Sequence, residues 1–465
     1  RRRKCHYAGR DGCGLRRDPR LQHLSKGSHH THEGRSDETR CGGSGTTMRE
    51  HPGVFLRSLF DRAVEVADPM RTLAAHLPER PEGRVVVIGA GKASARMAEA
   101  VEAAWGPCEG LVITRYGYGR PCRQIEIVEA SHPVPDEAGA AATRRMLDLV
   151  AGLGRSDFVL ALISGGASAL LTAPADGISL AEKQALNAAL LASGAPIADI
   201  NTVRKHLSRV KGGQLAAAVF PARMLALMVS DVPGDDPSAI GSGPTVGEAS
   251  TPRDALAILE SWRVPVPASV STVLQGSSGV VRPGDRRLGA VENHIYAAPA
   301  QSLAAAAAMA HAAGCEVRVL GDGLEGEARD VAARQADMAL AIARDRGTGE
   351  PPVLLMSGGE LTVTRRGDGI GGPNAEFCLA LAVALNGTPA IHAIACDTDG
   401  VDGAAEVAGA TIDPDTLAKA ASRGVDPLHC LATNDAHSFF TAIGDHVVTR
   451  PTLTNVNDFR AILIV

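Results

Sequence analysis

The sequence is poor in aromatic residues, has no long apolar run and carries no surplus of positive charge. Phe, Trp and Tyr make up 3% of the 465 residues, so a buried core must be built mainly from Ala, Val, Leu and Ile. No apolar stretch reaches the roughly 18 residues that a membrane-spanning helix needs. We therefore expect an aliphatic core and no membrane partner.

Charge and cysteine usage argue against a nucleic-acid-binding protein and against a disulfide-bonded one. Residues 1–47 carry 11 Lys and Arg against 5 Asp and Glu, whereas the remainder carries 36 against 47. A mildly acidic body of this kind offers no electrostatic surface for nucleic acid. None of the nine cysteines lies in a CxxC pair, so we expect reduced, mostly structural thiols in a cytoplasmic protein.

The first 47 residues differ in character from the rest of the chain. They begin with Arg, are rich in Arg, His, Gly and Ser, and show almost no hydrophobic periodicity. Directly after Met48, apolar residues recur at helical spacing. We expect residues 1–47 to be a disordered, non-native-looking extension ahead of a start at Met48, with a basic targeting peptide as the alternative.

From Met48 onward, short aliphatic runs alternate with segments of helical periodicity. Near-continuous apolar strands separated by helices indicate a parallel, doubly wound α/β sheet. The predicted strands are Arg84–Ile88, Leu111–Thr114, Ile125–Glu129, Phe158–Ile163 and Met224–Ser230, and the predicted helices are Lys92–Trp105, Asp136–Gly152, Ser179–Ser193 and Asp199–Phe220. The safest prediction from this pattern is the α/β architecture.

The pattern weakens over Thr251–Gly289, where Pro, Ser and Gly accumulate and a domain boundary is expected. A second alternating section follows. Its predicted helices are Pro299–Ala313, Gly323–Arg344 and Asn374–Leu385, and its predicted strands are Glu316–Leu320, Val353–Met356, Leu361–Thr364, Ile391–Ala395, His446–Thr449 and Ala461–Val465. We place the two domains at residues 48–285 and 286–465.

Three Gly-rich turns follow predicted strands. In the first, GAGKAS, Gly89 and Gly91 precede Lys92, so unpaired N–H groups at a helix start and an ammonium would attract an anion. The other turns contain Ser164, Gly165 and Gly166, and Ser357, Gly358, Gly359 and Glu360. We predict that the three turns bind a nucleotide, although each alone is also compatible with a structural turn.

The first turn does not match two known nucleotide motifs. A Walker loop requires G-x-x-x-x-G-K-[ST], and a dinucleotide fingerprint requires a third Gly where this chain has Ser94. The next strand ends at Thr114 and Arg115, where an NAD enzyme would carry an acidic residue for the ribose. The missing third Gly and the missing acidic residue argue against a nicotinamide cofactor.

Two acidic loops also follow predicted strands, and they contain Asp231, Asp235 and Asp236, and Asp397, Asp399 and Asp402. Ligands of open α/β sheets bind at the carboxyl ends of strands, and carboxylate oxygens suit Mg²⁺. We predict that Asp231, Asp235 and Asp397 bind metal and that Asp399 and Asp402 bind substrate. Capping of turns is the alternative.

A basic segment, NTVRKHLSRVKGGQLA, is predicted to be helical. Helical spacing would place Arg204, Ser208 and Lys211 on one face, where they could bind a carboxylate of the substrate. A solvated charged face is the alternative. His437 is a lesser candidate for a general base.

These motifs, together with several others, occur in a familiar order: GAGKAS, SHPVPDEAG, LISGGASALL, INTVRKHLSRVKGGQLA, SDVPGDDPSAIGSGPT, SGGELTVT, GGPNAEF, DTDGVDG and TNVNDFRAILI. In these motifs the sequence resembles the glycerate 2-kinases, whose bacterial members are often labelled hydroxypyruvate reductase and whose C-terminal part is called the MOFRL domain. The resemblance extends over Val54–Val465 and excludes residues 1–47.

The resemblance implies a Rossmann-like larger domain, a smaller α/β domain and an active site in the cleft between them. It also implies ATP and Mg²⁺ or another divalent cation, with D-glycerate phosphorylated to 2-phosphoglycerate. The Lys on which the family relies corresponds to Lys92. An Arg in the family's GGRN motif is replaced here by Pro373, and Arg204, Arg365 or Arg366 could supply its charge.

Together these observations predict a kinase with Lys92, Asp231 and Arg204 as catalytic residues. Lys211 is expected to bind substrate, and Asn374 to join the nucleotide-binding turns. Two alternatives stay open: an NAD(P)H-dependent hydroxypyruvate reductase, and a non-catalytic sensor of a phosphorylated acid. The expected partner is D-glycerate and not nucleic acid, and a homodimer is one option.

Overall fold

The structure is a computed structural model that describes residues 48–347, 349–403 and 405–465. The predicted extension over residues 1–47 lies outside the described residues. Within the described part, the strands form two six-stranded sheets and a short two-stranded ribbon. No helix of this part is both long enough and apolar enough to cross a membrane.

The first sheet is entirely parallel and has the strand order β3-β2-β1-β4-β5-β6. Its strands are β1 (Val85–Ala90), β2 (Glu109–Arg115), β3 (Ile125–Ala130), β4 (Phe158–Ile163), β5 (Arg223–Val229) and β6 (Val291–Ala297). Strands β1 and β4 are buried along their whole length because aliphatic clusters cover both faces of the sheet. The predicted Rossmann-like, doubly wound sheet is confirmed.

The second sheet is mixed and has the order β13-β12-β11-β14-β9-β7. Its strands are β7 (Glu316–Gly321), β9 (Val353–Gly358), β11 (Ile391–Asp397), β12 (Gly409–Ile412), β13 (His446–Val447) and β14 (Asp458–Ile464), and the ribbon pairs β8 (Gly326–Glu327) with β10 (Leu361–Thr362). Only β7 and β9 are parallel neighbours in this described sheet. Strand β14 lies between β11 and β9, so the last strand in sequence is central in space.

Helices connect the strands and cover both sheets. Those before β6 are α1 (Pro52–Glu65), α2 (Pro69–Thr72), α3 (Ser94–Trp105), α4 (Glu137–Val150), α5 (Ala167–Leu170), α6 (Leu180–Ala192), α7 (Ile197–His206), α8 (Gln214–Val219), α9 (Pro252–Ser261) and α10 (Ala268–Gln275). Those after β6 are α11 (Pro299–Ala312), α12 (Ala328–Asp345), α13 (Pro373–Leu385), α14 (Thr416–Ser422), α15 (Pro427–Ala432) and α16 (Ala436–Ile443). A capping box formed by Ser179 and Glu182 begins α6.

The two halves of the chain are more interleaved than the proposed boundary at residue 285 suggests. Strand β6 lies after that boundary but belongs to the first sheet. Helix α1 lies at the start of the described chain but packs through Leu56, Leu59 and Phe60 against the second sheet. The described residues belong to one compact unit.

The helix predicted over Asp199–Phe220 is wrong. The chain forms α7 and α8 with an irregular segment between them, because Gly212 and Gly213 adopt φ values of 57° and 78°. The segment Thr251–Gly289, where the pattern weakens and a domain boundary is expected, contains α9 and α10, and α9 begins with a capping box at Thr251.

Candidate active site

The carboxyl ends of β1 and β4 lie side by side where the strand order of the first sheet reverses. Parallel sheets bind ligands in the crevice at this point. The turn after β1 carries Gly91 and Lys92, and the turn after β4 carries Ser164–Gly166. A Cβ atom on Gly91 would lie 2.0 Å from Ser164 Oγ, and Gly91 has a φ of 141°, so only glycine fits.

Hydrogen bonds within the protein occupy the amides of the first turn. Lys92 N–H donates to the Gly165 carbonyl (2.8 Å), and Ala93 N–H donates to Ser164 Oγ (3.0 Å). Gly91 N–H donates to a carbonyl of β2. Among the described residues, the N–H groups of Gly165 and Gly166 have no such partner. The prediction of free amides at the first turn is therefore wrong, and the second turn provides them instead.

Loops of the second sheet form the opposite wall. Strand β11 ends at Asp397, the loop after it carries Asp399, and the segment entering β14 carries Asn455, Asn457 and Asp458. Three contacts join the two walls: Lys92 Nζ to Asp399 Oδ2 (2.6 Å), Asn455 Nδ2 to Asp231 Oδ2 (3.0 Å) and Asn457 Nδ2 to the Asp231 carbonyl (3.0 Å).

Between the walls lies a cleft of about 400 Å³. Its charged and polar lining residues are Lys92, Arg115, His132, Asp231, Glu360, Asp397, Asp399, Asn455, Asn457 and Asp458, and Gly166 and Pro373 also line it. A second cavity of about 550 Å³ lies at the amino ends of β4, β5 and β6. The smaller cleft is the candidate site because it lies at the carboxyl ends of the parallel strands.

The cleft is strongly acidic, and its groups perturb one another. Burial disfavours the charged ammonium of Lys92, but the surrounding carboxylates, Asp399 foremost, outweigh it and raise its pKa. Burial and then the carboxylates of Asp399 and Asp458 raise the pKa of Asp397 well above its usual value. Partial desolvation and neighbouring carboxylates raise the pKa of Glu360 to about 7 at the exposed mouth of the cleft. Such perturbation is typical of functional sites.

The donor set suits a hard cation that completes its coordination with ligand oxygens. Among the described residues, no group of three or more His, Cys, Asp and Glu is arranged to hold a metal ion alone. Asp231 and Asp397 line the cleft, whereas Asp235 is not among its lining residues. Mg²⁺ commonly takes only one or two carboxylates and fills its remaining positions with water and phosphate oxygens.

Several residues predicted to bind ligands instead support the second-sheet side of the cleft through buried hydrogen bonds. Arg460, fully buried, donates to Asp458 Oδ2 (2.9 Å) and to the Gly359 carbonyl (2.9 Å). Asn374 Nδ2 donates to Asp458 Oδ1 (2.7 Å) and contacts Asp402. The predicted ligand-binding residues Ser357, Gly358, Gly359, Asn374 and Asp402 are all buried, and the structure assigns them to this support.

Asp402 secures the start of α13, since its two carboxylate oxygens accept hydrogen bonds from the N–H groups of Asn374 (3.0 Å) and Ala375 (2.8 Å). We expect Asp402→Ala to lower the free energy of unfolding by about 2–3 kcal/mol, because two buried amides lose their acceptor. Urea denaturation measures the change. Asp402→Asn keeps one acceptor oxygen and should lose less; an Ala variant as stable as the parent would contradict this role.

Arg204, Lys211 and Asp235 do not reach the lining of the cleft. The Arg204 guanidinium contacts the amide oxygens of Asn187 and Asn201, both at 3.4 Å. The fully buried Lys211 ammonium donates to the carbonyls of Ser168, Leu171 and Gly241. The expected common face of Arg204 and Lys211 does not form because the helix between them breaks.

The structure adds lining residues that the sequence left unassigned. They are Arg115, His132, Asn455, Asn457 and Asp458. All except Arg115 belong to two of the family-like motifs, SHPVPDEAG and TNVNDFRAILI, and polar residues concentrated in a motif were the available signal. Burial and then the cations Lys92 and Arg115 lower the pKa of His132 to about 4, so its ring is neutral near pH 7.

Known proteins are similar to this chain in sequence and in fold. Residues 55–275 match the family described as Domain of unknown function (DUF4147), and residues 353–458 match the MOFRL family. A D-glycerate 2-kinase of Thermotoga maritima is 39% identical over 411 residues, which cover 88% of this chain and 97% of the relative. The chain belongs to the glycerate 2-kinase family. A crystal structure of glycerate kinase from the same organism matches with a TM-score of 0.79 at 37% identity, covering 90% of this chain and 100% of that one.

One similar protein has a different name. A protein of Agrobacterium vitis that is 51% identical over 414 residues, 88% of this chain and 94% of that one, is named a hydroxypyruvate reductase. The site of this glycerate 2-kinase family member offers no support for that chemistry. Ser94 replaces the third glycine of a dinucleotide fingerprint, and β2 ends at Arg115 instead of an acidic residue.

Proposed function

We propose that this protein transfers the γ-phosphoryl group of ATP to the C2 hydroxyl of D-glycerate, giving ADP and 2-phospho-D-glycerate. The observation that carries the proposal is the position of Lys92, whose ammonium lies at the reversal point of a parallel sheet within a cleft of carboxylates. The similarity to the D-glycerate 2-kinase of T. maritima supports the choice of substrate. A cytoplasmic location stays a prediction.

Lys92 would neutralise charge on the transferring phosphoryl group, and the free amides of Gly165 and Gly166 would orient it. Such positioning and charge neutralisation provide most of the catalysis in phosphoryl transfer. In the transfer, the C2 oxygen bonds to the γ-phosphorus, the bond from that phosphorus to the β,γ-bridging oxygen breaks, and the hydroxyl proton passes to a carboxylate. We assign the proton to Asp231, which lies at the end of β5 two strands from Lys92.

The balance of charge supports a divalent cation. Five carboxyl groups line the cleft, and Lys92 and Arg115 are its cationic side chains among the described lining residues. A polyphosphate entering such a site would be repelled unless additional positive charge came with it. Asp397, at the end of β11, is the residue that would hold Mg²⁺, which leaves Asp231 to accept the proton. When bound, the ion would offset the negative charge of the phosphate groups.

The test is a direct comparison of the two chemistries. With ATP, MgCl₂ and D-glycerate, we expect release of ADP that depends on glycerate and stops when EDTA removes the metal. Phosphorus NMR should identify 2-phosphoglycerate as the product. NADH absorbance with hydroxypyruvate should stay constant. Oxidation of NADH without ADP release would replace the proposal by the reductase, and glycerate binding without turnover would favour a sensor.

A further inference from the structure

Arg115 at the end of β2 differs from the other cation lining the cleft. Lys92 is already paired with Asp399, whereas the Arg115 guanidinium has no hydrogen bond and no ion pair among the described residues. The guanidinium carbon lies 5.4 Å from the centroid of the Tyr118 ring. An unpaired guanidinium directed into a cleft is suited to binding a carboxylate through two parallel hydrogen bonds.

Tyr118 supplies an independent observation. Its side chain is only 3% exposed, yet its hydroxyl has no hydrogen-bond partner among the described residues. A buried hydroxyl without a partner costs free energy, so it calls for a specific explanation. Burial raises the pKa of Tyr118 to about 12, so the hydroxyl keeps its proton and can donate it to an anion.

The turn that carries these two side chains is held rigidly. Glu129 Oε1 accepts hydrogen bonds from the N–H groups of Gly117 and Gly119, both at 2.9 Å. The Tyr116 hydroxyl donates to Asp136 Oδ2 at 2.8 Å. These contacts fix the backbone on both sides of Tyr118, so the two donors are preorganised without ligand.

The strand order gives the direction of the bound substrate. Along the sheet edge, Arg115 is the last residue of β2, whereas Lys92 follows β1, Gly166 follows β4 and Asp231 follows β5. Neighbouring strands are separated by about 4.8 Å, so Arg115 lies one spacing from Lys92 on the side away from Asp231. In glycerate the carboxyl carbon is bonded directly to C2. A cation one strand away from Lys92 is therefore close enough to bind the carboxylate while the C2 hydroxyl receives the phosphoryl group.

We propose that Arg115, assisted by Tyr118, binds the carboxylate of the acceptor and thereby sets the enzyme's preference for a 2-hydroxy acid. This inference rests on the proposed function. It replaces the expected role of Arg204, which does not line the cleft and whose guanidinium contacts the side-chain amides of Asn187 and Asn201. It also places the substrate against the first sheet and the nucleotide's metal against the acidic loops of the second.

The test compares matched arginine variants by steady-state kinetics. We expect Arg115→Gln to raise KM for D-glycerate by about 10- to 100-fold, because the carboxylate loses a charge-assisted contact. The KM for ATP should change by less than about twofold. Arg115→Lys should fall between. Tyr118→Phe, which removes only the hydroxyl, should raise the same KM by about 3- to 10-fold. Arg145→Gln, which alters a surface pair with Glu126, should change neither constant.

The outcomes separate this inference from the proposed function. Wild-type protein without glycerate-dependent ADP release would refute the kinase proposal, and calorimetric titration of D-glycerate into wild type and Arg115→Gln would still test the subsite. An active wild type with an unchanged glycerate KM in Arg115→Gln would overturn the inference. So would a rise confined to the ATP KM, or a glycerate defect found in Arg204→Gln but not in Arg115→Gln.

Discussion

Replacing Lys92 by Ala is expected to lower kcat for glycerate phosphorylation by about 10²–10³-fold at saturating ATP. Loss of one preorganised charge at the site of phosphoryl transfer typically has an effect of this size. Lys92 is held for this role, since the turns after β1 and β4 lock its backbone and Asp399 pairs with its ammonium at 2.6 Å. ADP release with D-glycerate measures the change.

Stability has to be measured beside activity in this variant, because Asp399 is only 1% exposed and loses its cation. Lys92→Arg keeps the charge and separates the two effects. Lys419→Ala is the matched control: this ammonium also contacts two carboxylates, Asp413 and Asp445, but does not line the cleft. Near-normal turnover of Lys92→Ala at saturating ATP would rule out the catalytic role.

Gly165→Ala is expected to lower kcat by about 10²-fold while leaving the protein folded. A Cβ atom at this position would lie 2.0 Å from Asp231 Oδ2 and 2.5 Å from Asn455 Nδ2. Both atoms are the ends of side chains, so the methyl group can be accommodated by rotating them away. That rotation breaks the 3.0 Å contact between the two residues and displaces a carboxylate that faces the substrate. A displacement of about 1 Å at a reacting centre can cost this factor.

Gly154→Ala is the matched control for Gly165→Ala, because it adds the same methyl group to a turn outside the cleft. There the nearest atom to the added methyl group would be Asp157 Oδ2 at 3.8 Å, an ordinary contact. We expect normal kcat for this variant and melting temperatures within a few degrees of the parent for both. Full activity of Gly165→Ala would show that the position of Asp231 is unimportant for transfer.

Much of the first sheet could be predicted because its strands are continuous apolar runs. The pattern predicts β4 at its observed bounds, Phe158–Ile163, and β1 within two residues of its bounds. Such runs are unmistakable when both faces of a parallel sheet are buried. The edge strand β6 is not predicted, because it is exposed along part of its length. The charged and polar residues Glu292, Asn293 and His294 interrupt its apolar pattern.

The candidate site could be predicted only in part, because its hydrogen bonds join distant segments. Placing Lys92, Asp231 and Asp399 near each other followed from the rule that ligands bind at strand ends. The sequence could not show that the amides after β1 are occupied, since their acceptors Gly165 and Ser164 lie about 70 residues further along the chain. The sequence also could not show that Arg204 and Lys211 lie apart, because the helix predicted to join them is broken between α7 and α8.

The central position of β14 has a consequence for biosynthesis. Asn455, Asn457 and Asp458 reach the cleft only when the strand they precede has inserted between β11 and β9. A ribosome exposes a chain from its amino end, so the parallel sheet can form during translation whereas the second sheet must wait for residue 464 to emerge. The nascent polypeptide would therefore carry an assembled but inert half, and catalytic competence would arise only after synthesis has passed this strand.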